Sequence, residues 1–490
     1  MKKTLYLALA AASVLVIVLF AGVFGPGGKA PAAEHAAKPD FPCLNPPSLS
    51  PEFPGDTVLS DQPSFNCFAW SEFIAANWPK TGGAENFGTP HDLAPVTWEG
   101  YMNIHDLLNA DGTPPPPWGQ SGSAPATVAE LTSQTNARII SRASKLGGNF
   151  IPDKDINEAS PHVAWLADTK SNLVFFEIVV NEAEYTYFTD HELYNSEAQK
   201  ALMASGGRID LPKGSVEGGS GAVEIKAAWL SLPVGANLED WSRYKLSEGF
   251  FCSDVGKADE VCEGRVLALV GMHILHKSAS QASWTWATFD HVDNVPDAAD
   301  VAQGQVPERD YRFYSPSCKE QEVPQACLAP GKSAASTTCT PNQPPAYALS
   351  KFVGSRVEGP CQPYPIQATR VYPLPDTGEN PIVRTNTAAQ QMIAAANPDS
   401  VFQYYQLINV MWSDSPVDEN VKVAGGPEDG PKAPLSKTAF RPDPAAFPVS
   451  NPVLETYVQS TACVECHSNA AISGGGYASD YSFLFSFAGP

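Results

Sequence analysis

The chain has 490 residues, of which 53 are acidic and 31 basic, so its formal net charge at pH 7 is −22. Such an acidic protein is repelled by nucleic acid and by anionic membrane surfaces, and we exclude both as binding partners. The length allows a large buried core, and the 45 prolines and 37 glycines predict long irregular connections.

Residues 1–33 have the pattern of an export signal. Lys2 and Lys3 precede an apolar run from Leu5 to Phe24, and small residues that suit cleavage follow near Ala30. The apolar run is also long enough to span a bilayer, for which about 20 residues suffice. A cleaved signal and an uncleaved anchor in the inner membrane therefore both stay open. Either alternative predicts that the rest of the chain is periplasmic or secreted.

We expect residues 34–450 to form one α+β body, with an antiparallel, β-rich core, peripheral helices and long proline- and glycine-rich loops. Helical patterns lie at residues 65–79, 131–145, 196–204, 387–396, 399–412 and 452–461. Strand patterns lie at residues 172–180, 184–188, 221–232, 264–276 and 283–290. The last three strand patterns follow one another closely, which favours a common antiparallel sheet. Residues 301–385 and 413–450 are proline-rich and are expected to be loops or linkers.

The ten cysteines agree with export. Two lie in a C-terminal pentapeptide, and an even remainder of eight predicts four disulfides in an oxidising compartment. Proximity favours the pairs Cys43 with Cys67 and Cys252 with Cys262. The pairing among the other four is open, these being Cys318, Cys327, Cys339 and Cys361.

The pentapeptide Cys463-Val464-Glu465-Cys466-His467 is the most specific motif of the sequence. Two thiols at this spacing can form thioether bonds to one haem, and the adjacent histidine then serves as the proximal ligand of the iron. The alternatives are a disulfide or half of a zinc site. Zinc usually requires a second ligand pair, and the sequence contains no second C-x-x-C. The motif therefore predicts one covalent haem c, attached through Cys463 and Cys466, with His467 on the iron.

This haem cannot lie in an ordinary small cytochrome c domain. Only 23 residues follow His467, and none of them is Met, His or Lys. A second protein ligand must come from upstream, and His273 is the first candidate, with His276 second. The two side chains point to opposite faces of an extended strand, so both cannot bind one iron by simple projection. His291, Met411 and a position without any protein ligand stay open as alternatives.

Residues 451–490 are therefore expected to be a haem-attachment segment that folds back on the body. The final residues alternate Tyr481, Phe483, Phe485 and Phe487, which predicts a strand or extended arm that packs its aromatic rings on the haem or on the sheet.

Several segments resemble a family of large exported bacterial proteins that carry one C-terminal c-type haem and whose activity is undetermined. These segments are IKAAWLSL, GMHILHKSASQASWTWATFDHVDNVP, CVECHSNA and DYSFLF. The likeness covers most of residues 65–490. It implies covalent haem at Cys463 and Cys466 and a functional role for the region from His273 to His291.

The sequence thus favours an exported monohaem c-type cytochrome that transfers single electrons in the bacterial envelope. Its partner would be a redox protein, and the acidic surface would suit a cationic patch on that partner. The alternatives are a haem enzyme of the peroxidase-like or oxygen-activating type, or a haem-based gas sensor. In the enzyme, His273, His276 or His291 would be an acid–base residue instead of a ligand.

Overall fold

The computed structural model describes residues 39–57, 59–120, 138–143, 164–253, 260–328, 331, 335–375, 378–414, 440–442 and 448–490. The predicted export signal lies outside this range, as do most of the helix predicted over 131–145 and most of the linker predicted over 413–450. Residues Pro39–Pro490 belong to one compact unit. In the described ranges, no helix has the length and apolar character needed to cross a bilayer.

Within the described residues, a nine-stranded and mostly antiparallel sheet forms the core, which confirms the predicted α+β class. The strands are β1 Met102–Asn103, β2 Ile139–Ala143, β3 Val174–Val180, β4 Val223–Ser231, β5 Leu246–Ser253, β6 Val261–His276, β7 Thr285–His291, β8 Lys351–Val353, β9 Arg356–Glu358, β10 Tyr405–Ser413 and β11 Phe440–Arg441. The order across the sheet is β1-β3-β4-β6-β7-β10-β11, and β5 pairs with β6 and, in parallel, with β2. β8 and β9 form a separate hairpin.

Helices cover both faces of this sheet. They are α1 Gln62–Ala76, α2 Ile104–Leu107, α3 Glu182–Asp190, α4 Ser196–Ala204, α5 Ala298–Gln303, α6 Pro381–Ala396 and α7 Cys463–His467. Successive side chains of a strand point to opposite faces, so each face builds its own core. On β7, Phe289 stacks on Phe73 of α1, whereas Trp286 joins a second cluster with Phe485 of the C-terminal segment.

The C-terminal segment, which we define as residues 448–490, is tied to the middle of the sheet. Asn451 Nδ2 donates to the carbonyl oxygen of Phe289 at 2.8 Å and to Thr288 Oγ1 at 3.0 Å. Val453 packs over Gly271, and a Cβ atom added to Gly271 would lie only 2.7 Å from Cγ2 of Val453. The absence of a side chain at Gly271 therefore lets the segment approach β6 closely.

Five of the predicted elements are wrong. Residues Glu184–Phe188 belong to helix α3 because the Asn181 side chain accepts from the Glu184 N–H and caps a helix there. Residues 399–412 form a 3-10 turn and strand β10 instead of a helix, and Ile139–Ala143 form β2 instead of the end of a helix. Residues 452–461 are turns, and the last aromatic residues include a 3-10 helix, Leu484–Phe487, instead of a strand.

Four disulfides connect eight cysteines. The pairs Cys43–Cys67 and Cys252–Cys262 confirm the prediction from proximity. The pairs that the sequence left open are Cys318–Cys339 and Cys327–Cys361. Four disulfides are typical of a protein that folds in an oxidising compartment.

Candidate functional site

A cavity of about 380 Å³ lies between the sheet and the C-terminal segment. Its sheet wall consists of side chains from β3, β4, β6 and β7, including Ile178, Ile225, Leu275 and Trp286. The opposite wall comes from residues 449–487 and includes α7. Most of these side chains are apolar, and the volume lies within the range of about 300–1,000 Å³ that is usual for small-molecule sites.

Both cysteines of the pentapeptide line this cavity, and neither is in a disulfide. Helix α7 holds them at positions three apart, which lie on the same side of a helix. Its start is fixed by Glu465, whose carboxylate accepts a hydrogen bond from the Ala462 N–H at 3.0 Å. Burial raises the pKa of the Cys463 thiol, and the negative charge of Glu455 raises this pKa further. Cys463 therefore remains a protonated thiol near neutral pH.

His467 also lines the cavity, and its ring is held in one tautomer. Its Nδ1 atom lies 2.7 Å from the carbonyl oxygen of Tyr481. A carbonyl oxygen can only accept, so Nδ1 carries the hydrogen and Nε2 presents a lone pair. Burial lowers the pKa of His467 to about 4, so the ring is neutral near neutral pH. Trp286 and Phe483 stand edge-on to the ring, with centroids 4.7 Å and 5.0 Å away.

These residues fit a covalently attached haem. Two thiols outside disulfides, a neutral imidazole whose other nitrogen is hydrogen-bonded, and a largely apolar enclosure are what haem c attachment and proximal ligation require. Cys463 and Cys466 would hold the porphyrin, and His467 Nε2 would hold the iron.

His273, the first candidate for a second ligand, lines the same cavity. Its Nε2 atom lies 2.5 Å from Oε1 of Glu455, which belongs to the C-terminal segment. Burial alone would raise the pKa of Glu455, but the charge and hydrogen bond of His273, the charge of Lys226 and a hydrogen bond from the Asn451 backbone together lower it. Glu455 is therefore an ionised partner of His273, and the second Glu455 oxygen accepts from the Asn451 N–H at 2.7 Å. The His273–Glu455 pair is thus anchored to the same asparagine that ties the C-terminal segment to β7.

The other candidate ligands do not line this cavity. His276, on the other face of β6, is fully buried against α1, where Nδ1 lies 2.6 Å from Glu72 Oε1 and the ring stacks on Phe68. His291 stacks on Tyr244, and its Nε2 lies 3.0 Å from the carbonyl oxygen of Arg243. Met411 is buried in the same apolar cluster as Trp286 but is not among the residues that line the cavity.

Three charged residues of the cavity wall were not predicted from the sequence: Glu224, Lys226 and Glu455. A signal for two of them was present, because Glu224 and Lys226 occupy alternate positions in the otherwise apolar strand β4. Charged residues at alternate positions of a buried strand indicate a face that borders a cavity or a partner group. Glu455 gave no comparable signal because it lies in turns.

Comparisons with known family models, with characterised proteins and with solved structures found no match to this chain. The resemblance to exported haem proteins therefore stays a prediction. The candidate site rests on the geometry of its own residues.

Proposed function

We propose that this protein is an exported c-type cytochrome with one covalent haem, which transfers single electrons in the bacterial cell envelope. One observation carries the proposal. Among ten cysteines, Cys463 and Cys466 alone are left out of disulfides, and they line an apolar cavity beside a histidine whose Nε2 is available.

The bound haem would supply a one-electron redox couple, and the chain would supply its attachment and surroundings. Thioether bonds prevent loss of the cofactor outside the cell. Tyr481, through its carbonyl oxygen, would orient the proximal ring and increase its basicity. Trp286, Leu275 and Phe483 would exclude water, and exclusion of water from the site is one of the factors that set a haem potential.

Disulfides and net charge support the proposed cellular location and redox partner. The four disulfides support a location in the periplasm or outside the cell, with a possible anchor in residues 1–33. The net charge of −22 supports docking to a redox partner that presents a cationic patch.

A second candidate function is a haem enzyme, and the His273–Glu455 pair favours it. His273 Nε2 is occupied by a carboxylate, so iron ligation through this atom would require the pair to separate. A histidine held by a carboxylate beside an open iron position would be suited to move protons to and from a small oxidant such as peroxide.

Absorption spectroscopy of the exported, purified protein tests both candidates. A colour that survives denaturation and acid-acetone extraction is expected from covalent haem, and a colourless protein overturns both proposals. For the electron carrier we expect a low-spin spectrum that added CO or peroxide does not change. A high-spin spectrum that responds to both ligands selects the enzyme and rejects the electron carrier.

A further inference from the structure

Two buried carboxyl groups meet beside the cavity, and we call them the carboxyl pair. Glu184 lies in the first turn of α3, and Glu224 lies in β4 and lines the cavity. The two side chains are within hydrogen-bond reach of each other. Among the described residues, no donor reaches either oxygen of Glu184 or Oε1 of Glu224. Ionised carboxylates only accept hydrogen bonds, so one proton is needed between the two groups.

The surroundings keep that proton bound. Burial raises the pKa of Glu184 well above its usual value, and the charge of Glu224 raises it further. Burial also raises the pKa of Glu224, to about 7, although hydrogen bonding from Ser482 and Glu184 acts in the opposite direction. Two adjacent carboxylates in a water-poor site cannot both ionise without large repulsion, so they titrate as a unit.

A series of charged side chains leads from the surface towards the carboxyl pair. Asp480 is close enough to raise the pKa of both members. It is buried and paired with the ammonium group of Lys277, which also lies 3.0 Å from Asp210 Oδ1. The Asp210 side chain is 26% exposed, so the chain of polar groups reaches solvent. Charged side chains therefore extend from solvent to Asp480, whose charge acts on the carboxyl pair.

The charged and titratable groups near the carboxyl pair come from several elements. Asp480, Lys277 and Ser482 act on the pair itself, and Tyr187 and Asp210 interact with Asp480 and Lys277. Lys226, His273, Glu455 and His467 line the same cavity as Glu224.

We propose that the carboxyl pair, which shares one proton in the oxidised protein, binds a second proton from solvent whenever the cavity gains one electron, and releases this second proton on oxidation. The inference rests on the proposed haem function. The electron comes from the donor protein of that function, and the proton comes from water. An O–H bond forms on the carboxyl pair during reduction and breaks during oxidation, so the combined charge of cavity and pair is unchanged. The physical cause is that a negative charge added in a low-dielectric site raises the proton affinity of nearby acids.

A redox titration of the holoprotein at several pH values around neutrality tests this. We expect the midpoint potential to fall as pH rises, with a slope approaching about 59 mV for each tenfold change in proton concentration, the value for one proton per electron. Glu224→Gln should flatten this dependence, and Glu184→Gln should do the same, because either change leaves a single carboxyl group in place of the pair that takes up the second proton. A potential that is independent of pH in the wild-type protein overturns the inference.

Glu177→Gln is the matched control. Glu177 is a buried carboxyl on β3 that accepts from Trp229 Nε1 at 2.8 Å and borders a different cavity. The amide can also accept this hydrogen bond, so the pH dependence should stay as in the wild-type protein. Equal flattening in Glu177→Gln and Glu224→Gln would contradict the assignment.

The wild-type protein gives a readout that needs no variant. Reduced-minus-oxidised infrared spectra should show a change in the C=O stretch of a protonated carboxyl group, and its absence overturns the inference. A holoprotein with covalent haem, a pH-independent potential and no carboxyl band would overturn this inference and leave the proposed function standing. A protein without covalent haem would overturn the proposed function itself.

Discussion

Trp286 stands edge-on to His467, with the ring centroids 4.7 Å apart and the planes at 67°. Trp286 belongs to the middle of the sheet, where it pairs with Leu275 of β6 and Met411 of β10. The imidazole of the pentapeptide is therefore placed by a rigid strand on one side and by the Tyr481 carbonyl on the other. Four predictions follow from this arrangement and from the contacts around it.

Replacing the proximal ring should change the spectrum without releasing the haem. In His467→Ala the two thioether bonds remain possible, so the denatured protein should still be coloured. The iron should lose its strong axial ligand, and added imidazole should restore the original spectrum by entering the space left by the ring. Absorption spectra before and after imidazole measure this. His191→Ala removes an exposed histidine and serves as the control; a spectrum of His467→Ala equal to that of the control would rule out ligation.

Thiol titration of the denatured protein should count the attached sulfurs. The exported form should show no free thiol, because eight cysteines are in disulfides and the proposed haem would engage the other two in thioethers. The same chain produced without haem attachment should show two. A doubly substituted Cys463→Ala, Cys466→Ala protein should be exported without colour and without free thiols. Two reactive thiols in the coloured, exported protein would argue against thioether bonds.

His273 and His276 should give opposite phenotypes. His273→Ala changes the cavity wall, so we expect an altered absorption spectrum. The loss of stability should be smaller, because the Glu455 side chain is 24% exposed and keeps the hydrogen bond from the Asn451 N–H. His276→Ala leaves Glu72 buried without its partner, and breaking a buried pair typically costs about 3–5 kcal/mol of unfolding free energy. Urea denaturation and absorption spectra of both variants distinguish the roles. An unchanged spectrum in His273→Ala, together with a changed one in His276→Ala, would reverse the assignment.

Acidification should weaken the fold through His291. Burial lowers the pKa of this ring well below its ordinary value of 6.5. Below pH 6.5 the unfolded chain binds a proton at this ring and the folded chain does not. The contribution of His291 to the unfolding free energy is therefore complete above this pH and decreases as the pH falls. One such proton contributes at most about 1.4 kcal/mol per pH unit. The measurement is the difference in urea stability between wild type and His291→Asn at two pH values.

That difference is more informative than the wild-type curve alone. Buried carboxyls whose pKa is raised by burial, such as Glu72 and Glu177, bind protons in the folded state and act in the opposite sense. These carboxyls are common to wild type and variant, so subtracting the two curves removes their contribution to first order. The difference in unfolding free energy between the wild-type protein and His291→Asn should shift against the wild-type protein as the pH falls. A difference that does not change with pH would show that His291 does not titrate as expected.

The sheet could be predicted from the sequence where period and composition agree. β4 alternates, and β6 is a long apolar run between polar ends, so both were found with nearly correct ends. Helix α4 was found from Ser196 to Ala204 for the same reason, and Asn195 caps it. Local pattern and tertiary position coincide in these elements.

The failures occurred where local preference and tertiary contacts disagree. Residues Glu184–Phe188 are rich in aromatic and β-branched types, which favour strands, but the Asn181 cap starts a helix. Residues 405–413 contain apolar residues that suit either a helix or a buried strand, and only pairing with β7 decides the outcome. Such pairing joins residues more than a hundred positions apart, and one sequence does not reveal it.

The candidate site likewise has a part that the sequence predicts and a part that only the tertiary structure reveals. Cys463, Cys466 and His467 are contiguous, so their pattern was readable from the sequence. The shared cavity of His273 and His467, the Glu455 partner and the carboxyl pair depend on how the C-terminal segment lies on the sheet. No periodic pattern in the sequence marks the residues that make these contacts.

The cavity joins Ile178 near one third of the chain to Phe487 near its end. Contacts between residues so far apart in sequence are slow to form because a long loop must close first. In a chain exported as proposed, the cavity could not close until the C-terminal segment had followed the rest through the membrane. During that interval Cys463 and Cys466 would be accessible to an attachment enzyme, and the uncovered face of the sheet would be accessible to proteases. We therefore expect cofactor insertion and completion of the fold to compete with degradation, and delayed haem supply to lower the yield of protein.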